Sequence, residues 1–458
     1  MTNEKRLPTW FVIAAFFVGN GFVFVNPPLR APDEWAHFAR AYQVSHFQWL
    51  PEKQNGILGG NTPAGIENLN NRFVKATFEG VTLRQIQGSR SIPFNRQDTK
   101  FLFFPSIAEY PWLPFLPQAA GIDIARLFFN STLAIMYCAR EANLLAYIAL
   151  SYLALRLMPQ PLCRLTLALI GALPMSLHQA GSLSADAMTI AFALLAATAI
   201  WRLAFLEGPA SRFDVSLVFL STVCLSFTKL AYSPLSLLVL MIPAKRLGGP
   251  GKYAAFLAML LLCNGLVIIL WMRQFHGMPS VDLNPAVNPA LQKQYILHHP
   301  GRIVPIVIST TKTYGKEIAT GVIGAFGENE IMLPLKVVLL YYLLLLISVA
   351  ANTPPRHWRA PLIALSTAAL NLAAMLTAFY IECRPVAESA IDGFQGRYLI
   401  PLLPLLLFFG GDKTVVRPKL TRLLFIAAIS IAAFSVLYLA QVFYPAFPTS
   451  RFYFRWSE

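Results

Sequence analysis

Long apolar runs separated by short basic loops set the pattern of this chain. Trp10–Val25, Ser131–Leu157, Leu165–Gly181, Ala185–Phe205, Tyr253–Met272, Pro361–Ile381 and Leu423–Phe443 approach or exceed the roughly 20 apolar residues that a membrane helix needs. Leu335–Ala350 and Tyr398–Gly410 are shorter runs of the same kind. Asp214–Pro243 is long for one helix and is interrupted by Lys229 and Pro234. It predicts two short helices folded as a hairpin, with Lys229 near the outer turn. The sum is an all-α polytopic membrane protein of about 11 transmembrane helices, one integral membrane domain over residues 1–458. No small-x-small cleavage site follows the first run, only Asn26-Pro27-Pro28, so that run reads as an uncleaved signal anchor with a cytoplasmic N-terminus.

Charge gives the orientation. Only 13% of the residues are charged, against about 25% in a soluble domain. Large soluble architectures and disorder are thereby excluded. The net charge of +15 falls largely in alternate short loops: Arg156 and Arg164; Arg202 and Arg212; Lys245, Arg246 and Lys252; Arg356 and Arg359; Lys413, Arg417, Lys419 and Arg422. Basic short loops mark the cytoplasmic side, so the charge points to topology and anionic lipid headgroups and not to nucleic acid. Two long polar stretches, 27–130 and 273–334, then form periplasmic loops, and with an odd span count the tail after Tyr444 is outside too. Phe101–Phe129, rich in Phe, Trp and Pro, suits interfacial or re-entrant helices. Of the five cysteines, four sit in apolar runs and only Cys383 looks loop-exposed, which leaves no disulfide framework and no cysteine zinc site.

Ionisable groups in or beside the bilayer are costly and mark candidate chemistry. Directly after the first span stands Pro32-Asp33-Glu34-Trp35-Ala36-His37-Phe38-Ala39-Arg40. Pro32 fits a first helical turn, and the acids suit the N-terminal dipole. Asp33, His37 and Arg40 recur at helical spacing and share a face. That arrangement suits a general-base site and equally a solvated, well-capped interfacial helix. Glu34-x-x-His37 is half of a helical-bundle metal pair; no metal or other cofactor is expected, and a divalent ion there is the outside alternative. Arg397, in Gln395-Gly396-Arg397-Tyr398 at the outer edge of a short span, and Lys229 are either phosphate contacts or snorkelling cations. The adjacent Arg140 and Glu141, inside an apolar run, read as structural and as paired with other residues. His178, Ser182, Ser184 and Asp186 at an outer turn, with Gln395, form a possible sugar or acceptor site; Asp186 reads equally as a helix-start residue.

Several boxes, in chain order, carry a resemblance: Ala31-Pro32-Asp33-Glu34-x-x-His37-Phe38-x-Arg40-Ala41-Tyr42; Tyr110-Pro111-x-Leu113-Pro114-x-x-Pro117-Gln118; Leu173-Pro174-Met175 through Asp186-Ala187; Lys229 before Tyr232 and Pro234; and Gln395-Gly396-Arg397-Tyr398-Leu399-x-Pro401-Leu402. The ordered set resembles a bacterial family of multi-pass membrane proteins long catalogued as a domain of unknown function. That family is in turn similar to the GT-C glycosyltransferases, which use a lipid-phosphate-linked sugar at the outer membrane face. The resemblance implies a GT-C-like bundle in the bacterial inner membrane with its active site at the periplasmic face. It implies Asp33 as catalytic base with Glu34 and His37 beside it. Arg397 and Lys229 would bind lipid phosphate, and Tyr398 and Arg40 are expected beside them. The partners implied are a polyprenyl-phosphate sugar, a glycan acceptor such as O-antigen, and membrane lipids. The chain lacks the large soluble C-terminal domain that some members carry, which leaves a protein acceptor in doubt. A polysaccharide polymerase or ligase, a lipid-linked-sugar transporter or flippase, and a non-catalytic scaffold are the alternatives.

Overall fold

The computed structural model describes residues 6–275, 284, 286–353, 358–411 and 417–445. Of the described residues, 73% are helical. Helix α1, Leu7–Val25, carries no charge and stops at Asn26, where Pro27 and Pro28 cannot supply the next helical donors. Five further single helices are long and apolar enough to cross a membrane: Thr132–Leu157, Ala185–Phe205, Pro250–Arg273, Arg359–Cys383 and Pro418–Phe443. Pro161–Gly171 and Pro174–Ala180 form a pair bent by 61° that makes a seventh if counted as one span. The bend falls where Pro174 removes a backbone donor.

By length and composition alone, six or seven of the eleven expected spans qualify, among the described residues. The difference lies in Asp214–Pro243, Leu335–Ala350 and Tyr398–Gly410. Asp214–Pro243 divides into an α-helix, Arg212–Thr228, and a 3₁₀ helix, Leu230–Met241, with Lys229 alone between them. The Tyr398 run is also 3₁₀, over Gly396–Phe409. Pro234 in one, and Pro401 and Pro404 in the other, break the i→i−4 ladder, leaving short apolar helices. Arg356, Lys413 and the tail beyond residue 445 lie outside the described residues.

Ala185–Phe205 is the central helix: 83% of its apolar window is buried inside the protein. Its many alanines let Thr132–Leu157, Arg212–Thr228 and Gly396–Phe409 pack closely around it. Outward-facing Phe17, Leu262, Leu365 and Leu437 are exposed apolar side chains, as a bilayer requires.

Segment 27–130 holds helix α2, Glu34–Ser45, several short helices and a three-stranded antiparallel sheet in the order β1 (Glu52–Gln54), β2 (Ile57–Pro63), β3 (Thr99–Phe103). The sheet was not foreseen among the expected interfacial helices. The segment is clamped to one end of the bundle. Val81 N donates to Phe443 O (2.6 Å), Trp271 Nε1 donates to Glu109 O (2.7 Å), and Arg30 pairs with Glu328 (2.9 Å). At the opposite end Arg202 pairs with Asp214 (2.8 Å) and Gln160 donates to Asn352 Oδ1 (2.7 Å). The described residues of 273–334 are also largely helical, with Pro289–His298, Ile303–Gly324 and a small hairpin at Ala325–Met332.

Candidate active site at the converging helix starts

Four helices begin at the same place. Asp33 precedes α2, Asp186 is the second residue of Ala185–Phe205, Lys229 precedes Leu230–Met241, and Arg397 is the second residue of Gly396–Phe409. Their side chains form one chain of charge. Lys229 Nζ lies 2.5 Å from Asp186 Oδ1, and Arg397 Nε lies 3.2 Å from Asp186 Oδ2. Arg397 Nη2 lies 3.5 Å from Asp33 Oδ2. A cation at a helix N-terminus opposes the helix dipole, and burial raises its cost. Asp186 offsets both for Lys229 and Arg397. Its own backbone N–H is capped by Ser184 Oγ at 3.1 Å.

The four differ sharply in exposure. Asp33 is 51% exposed at its side chain, whereas Lys229, Asp186 and Arg397 are all below 10%. Asp33 also sits in the left-handed region, at φ 56°, and makes no cap to α2. The expected role of Pro32 in the first helical turn is corrected accordingly: the helix starts at Glu34, and the Asp33 carboxylate turns outward to Arg397. Strained backbone held in place by its surroundings is a feature of functional sites. Around the cations stand tyrosines. Lys229 Nζ lies 4.7 Å from the Tyr110 ring centre and 5.2 Å from that of Tyr398, and the Arg397 guanidinium carbon lies 5.4 Å from the Tyr398 ring. Tyr110 has no role in the sequence reading; its signal is a tyrosine inside the aromatic stretch Phe101–Phe129.

The cluster also holds buried polar atoms without hydrogen-bond partners: Arg397 Nη1, Gln395 Oε1, His178 Nε2 and His37 Nδ1. His37 packs on Phe115 and Tyr110. Burial, then the Lys229 charge, lowers its imidazole to about 3, with Asp186 opposing. His37 is therefore a neutral ring at ordinary pH. His178 is wedged against Phe22 and Phe326, and its Nδ1 lies 3.3 Å from the Gln179 amide nitrogen.

Two expected site residues do not join. Glu34 is fully buried, and both its oxygens are held by Arg140, Nε–Oε1 at 2.7 Å and Nη2–Oε2 at 2.6 Å. Leu183 N and Ala31 N also donate to it. Arg140 spends its remaining donors on the carbonyls of Val23, Asn26 and Pro27. This pair staples the end of α1 to α2 and to the turn before Ala185, and leaves Glu34 no free base. Arg40 donates to Gln43 Oε1 and to the carbonyls of Gln48 and Trp49, closing the far end of α2 away from the cations. Asp33 and Arg40 therefore do not act on one face together. Asp186 holds the two cations, a different place from the sugar contact expected of it. Among the described residues no three His, Cys, Asp or Glu side chains gather to hold a metal ion.

Comparison with curated proteins and with solved structures finds no match. The family comparison does. Residues 16–406 match the family described as "Predicted membrane protein (DUF2142)", a stretch that runs from α1 through the Arg397 helix, and the chain belongs to that family.

Proposed function

We propose that the protein is a membrane glycosyltransferase of GT-C type that moves a sugar from a polyprenyl-phosphate donor to a cell-surface glycan at the periplasmic face of the bacterial inner membrane. The observation that carries this reading is the linkage of one half-exposed acid, Asp33, to two buried cations through Asp186. The chain would cross the membrane eleven times. At about 2.0 Å per residue in a 3₁₀ helix and 1.5 Å in an α-helix, Leu230–Met241, Leu335–Ala350, Gly396–Phe409 and the helix Arg212–Thr228 would each reach roughly 24–28 Å, close to the roughly 30 Å hydrocarbon core.

The donor phosphate would take the partnerless Arg397 Nη1 and displace Asp33 from its 3.5 Å contact with Nη2. Lys229 adds a second positive charge. The freed Asp33 carboxylate accepts the proton of an acceptor hydroxyl as that oxygen bonds to the anomeric carbon. The bond from that carbon to the phosphate oxygen breaks with inversion, and the lipid phosphate leaves with the electron pair against fixed positive charge. The proton on Asp33 then passes to water.

Transfer of labelled sugar from a polyprenyl-phosphate hexose to glycan, in membranes with matched expression, tests this. Asp33→Asn should abolish transfer. Arg397→Lys should lose about ten- to a hundred-fold, since a charge-assisted hydrogen bond is worth roughly 1.5–3 kcal/mol and a lysine cannot reproduce the guanidinium fork. Wild-type turnover in both variants would end the reading. A transporter or flippase is the second reading, favoured by the two proline-broken helices whose starts meet at the charged cluster. It predicts movement of lipid-linked sugar across vesicles with no new glycosidic bond. A polymerase or ligase would share the cations and differ in its acceptor.

A further inference from the structure

A cavity of about 370 Å³ opens in segment 27–130 between α2, the helix Ala64–Phe73 and strand β3. Trp35, Phe101 and Phe103 line it with aromatic surface, and Glu67, Asn70 and Asn71 line it with polar groups. Phe101 and Phe103 stand two apart on β3 and so project from one face, with ring centres 5.0 Å apart. Glu67 is steadied by Lys100 at 2.6 Å, and Asn70 Oδ1 accepts from Arg30 Nη2 at 2.5 Å. Flat apolar rings beside a held amide, a held carboxylate and the exposed Asn71 amide match one ligand chemistry. A saccharide ring offers a face of C–H groups to aromatic surface and a rim of hydroxyls that both donate and accept.

The cavity also adjoins the turn that carries Asp33, because Arg30, three residues earlier, reaches its Asn70. Arg30 bonds Asn70 on one side and Glu328 on the other, at 2.9 Å. Burial, with Arg30 opposing and the Glu330 and Asp33 charges adding, holds the Glu328 carboxyl above its usual range. Trp35 follows Asp33 by two residues at the start of α2.

We propose that this cavity binds the acceptor glycan and leads its hydroxyl toward Asp33. The word acceptor rests on the transferase reading; glycan binding does not. Full-length protein in nanodiscs would be applied to an array carrying bacterial surface polysaccharides beside peptides of mixed sequence. Asn71→Ala, Phe103→Ala and the double variant change exposed residues, and folding is checked by elution profile and thermal melting. Wild type should retain polysaccharide and not the peptides. Each single variant should weaken retention about three-fold, and the double variant about ten-fold or more, as for loss of a hydrogen bond and an aromatic contact. Retention of peptides and no polysaccharide, or full polysaccharide retention by the folded double variant, overturns the proposal. Polysaccharide retention that depends on Asn71 and Phe103 in a protein with no transfer activity leaves the cavity standing and removes the transferase.

Discussion

Asp33 and Glu34 are adjacent acids that the fold uses in opposite ways. Glu34 is sealed against Arg140, and Asp33 stands half in solvent. Removing one partner from a buried pair leaves an uncompensated charge and costs about 3–5 kcal/mol. Glu34→Gln should therefore lower thermal stability by about that amount in detergent, whereas Asp33→Asn should leave it within about 1 kcal/mol; equal melting of the two variants would remove Glu34–Arg140 as the staple. Glu109 gives a pH-dependent test. Burial, then the Glu382 charge, raises its carboxyl from an ordinary 4.5 to about 7. The folded state thus binds a proton that the unfolded state has lost between those values. Stability falls as pH rises from about 4.5 to about 7 and is flat above that. Glu109→Gln should remove this slope, melting with wild type near pH 4 and above it near pH 8. An unchanged pH slope in the variant would show that Glu109 does not titrate in that range. Asp33, Lys229 and Arg397 could be picked from the sequence because each is an ionisable residue at the edge of an apolar run, where water is scarce. The roles of Asp186 and Glu34 could not. Which carboxylate reaches which cation depends on contacts such as Glu34 to Arg140, 106 positions apart, that periodicity does not encode.

Elements with a continuous apolar run and clean ends were legible: Thr132–Leu157, Ala185–Phe205 and Pro250–Arg273 lie within a few residues of their expected bounds. The break at Lys229 was legible too, because a lysine followed by Pro234 cannot continue a buried α-helix. The 3₁₀ geometry of the two short helices was not. Proline reports a missing donor, but only the packing around it decides whether the chain kinks, stops or tightens. Nor was the sheet in segment 27–130. Ile57–Pro63 reads Ile-Leu-Gly-Gly-Asn-Thr-Pro, with no strict alternation, and its register is set by β3 some forty residues later. A Cβ at Gly60 would push the Gln43 side chain aside, and the closeness that glycine allows lets Gln43 donate to Gly59 O at 3.0 Å and dock the sheet on α2.

At the scale of the molecule, the contacts sort the chain ends and loops into two groups. Segment 27–130 meets the far ends of Pro250–Arg273 and Pro418–Phe443, and the hairpin at Ala325–Met332 meets Arg30. The loops around Gln160, Gly208 and Gly249 fall in the other group, where Arg246 donates to the carbonyls of Leu203 and Gly208. Arg156, Arg164, Arg202, Arg212, Lys245 and Arg246 belong to that second group, so the basic side is the one opposite the charged cluster. The proposed function needs Asp33 and Arg397 outside, which is the side that the positive-inside rule predicts for them. Single cysteines at Asn95 and Gly208, in a chain whose five native cysteines are replaced, test this with a membrane-impermeant thiol reagent. Both positions are exposed. Asn95→Cys should label in intact cells, and Gly208→Cys only in inverted vesicles. The reverse pattern would turn the site toward the cytoplasm, where nucleotide sugars and not periplasmic glycans are at hand, and would end the periplasmic transfer mechanism. Labelling of both from one side would contradict the division of the fold into two ends.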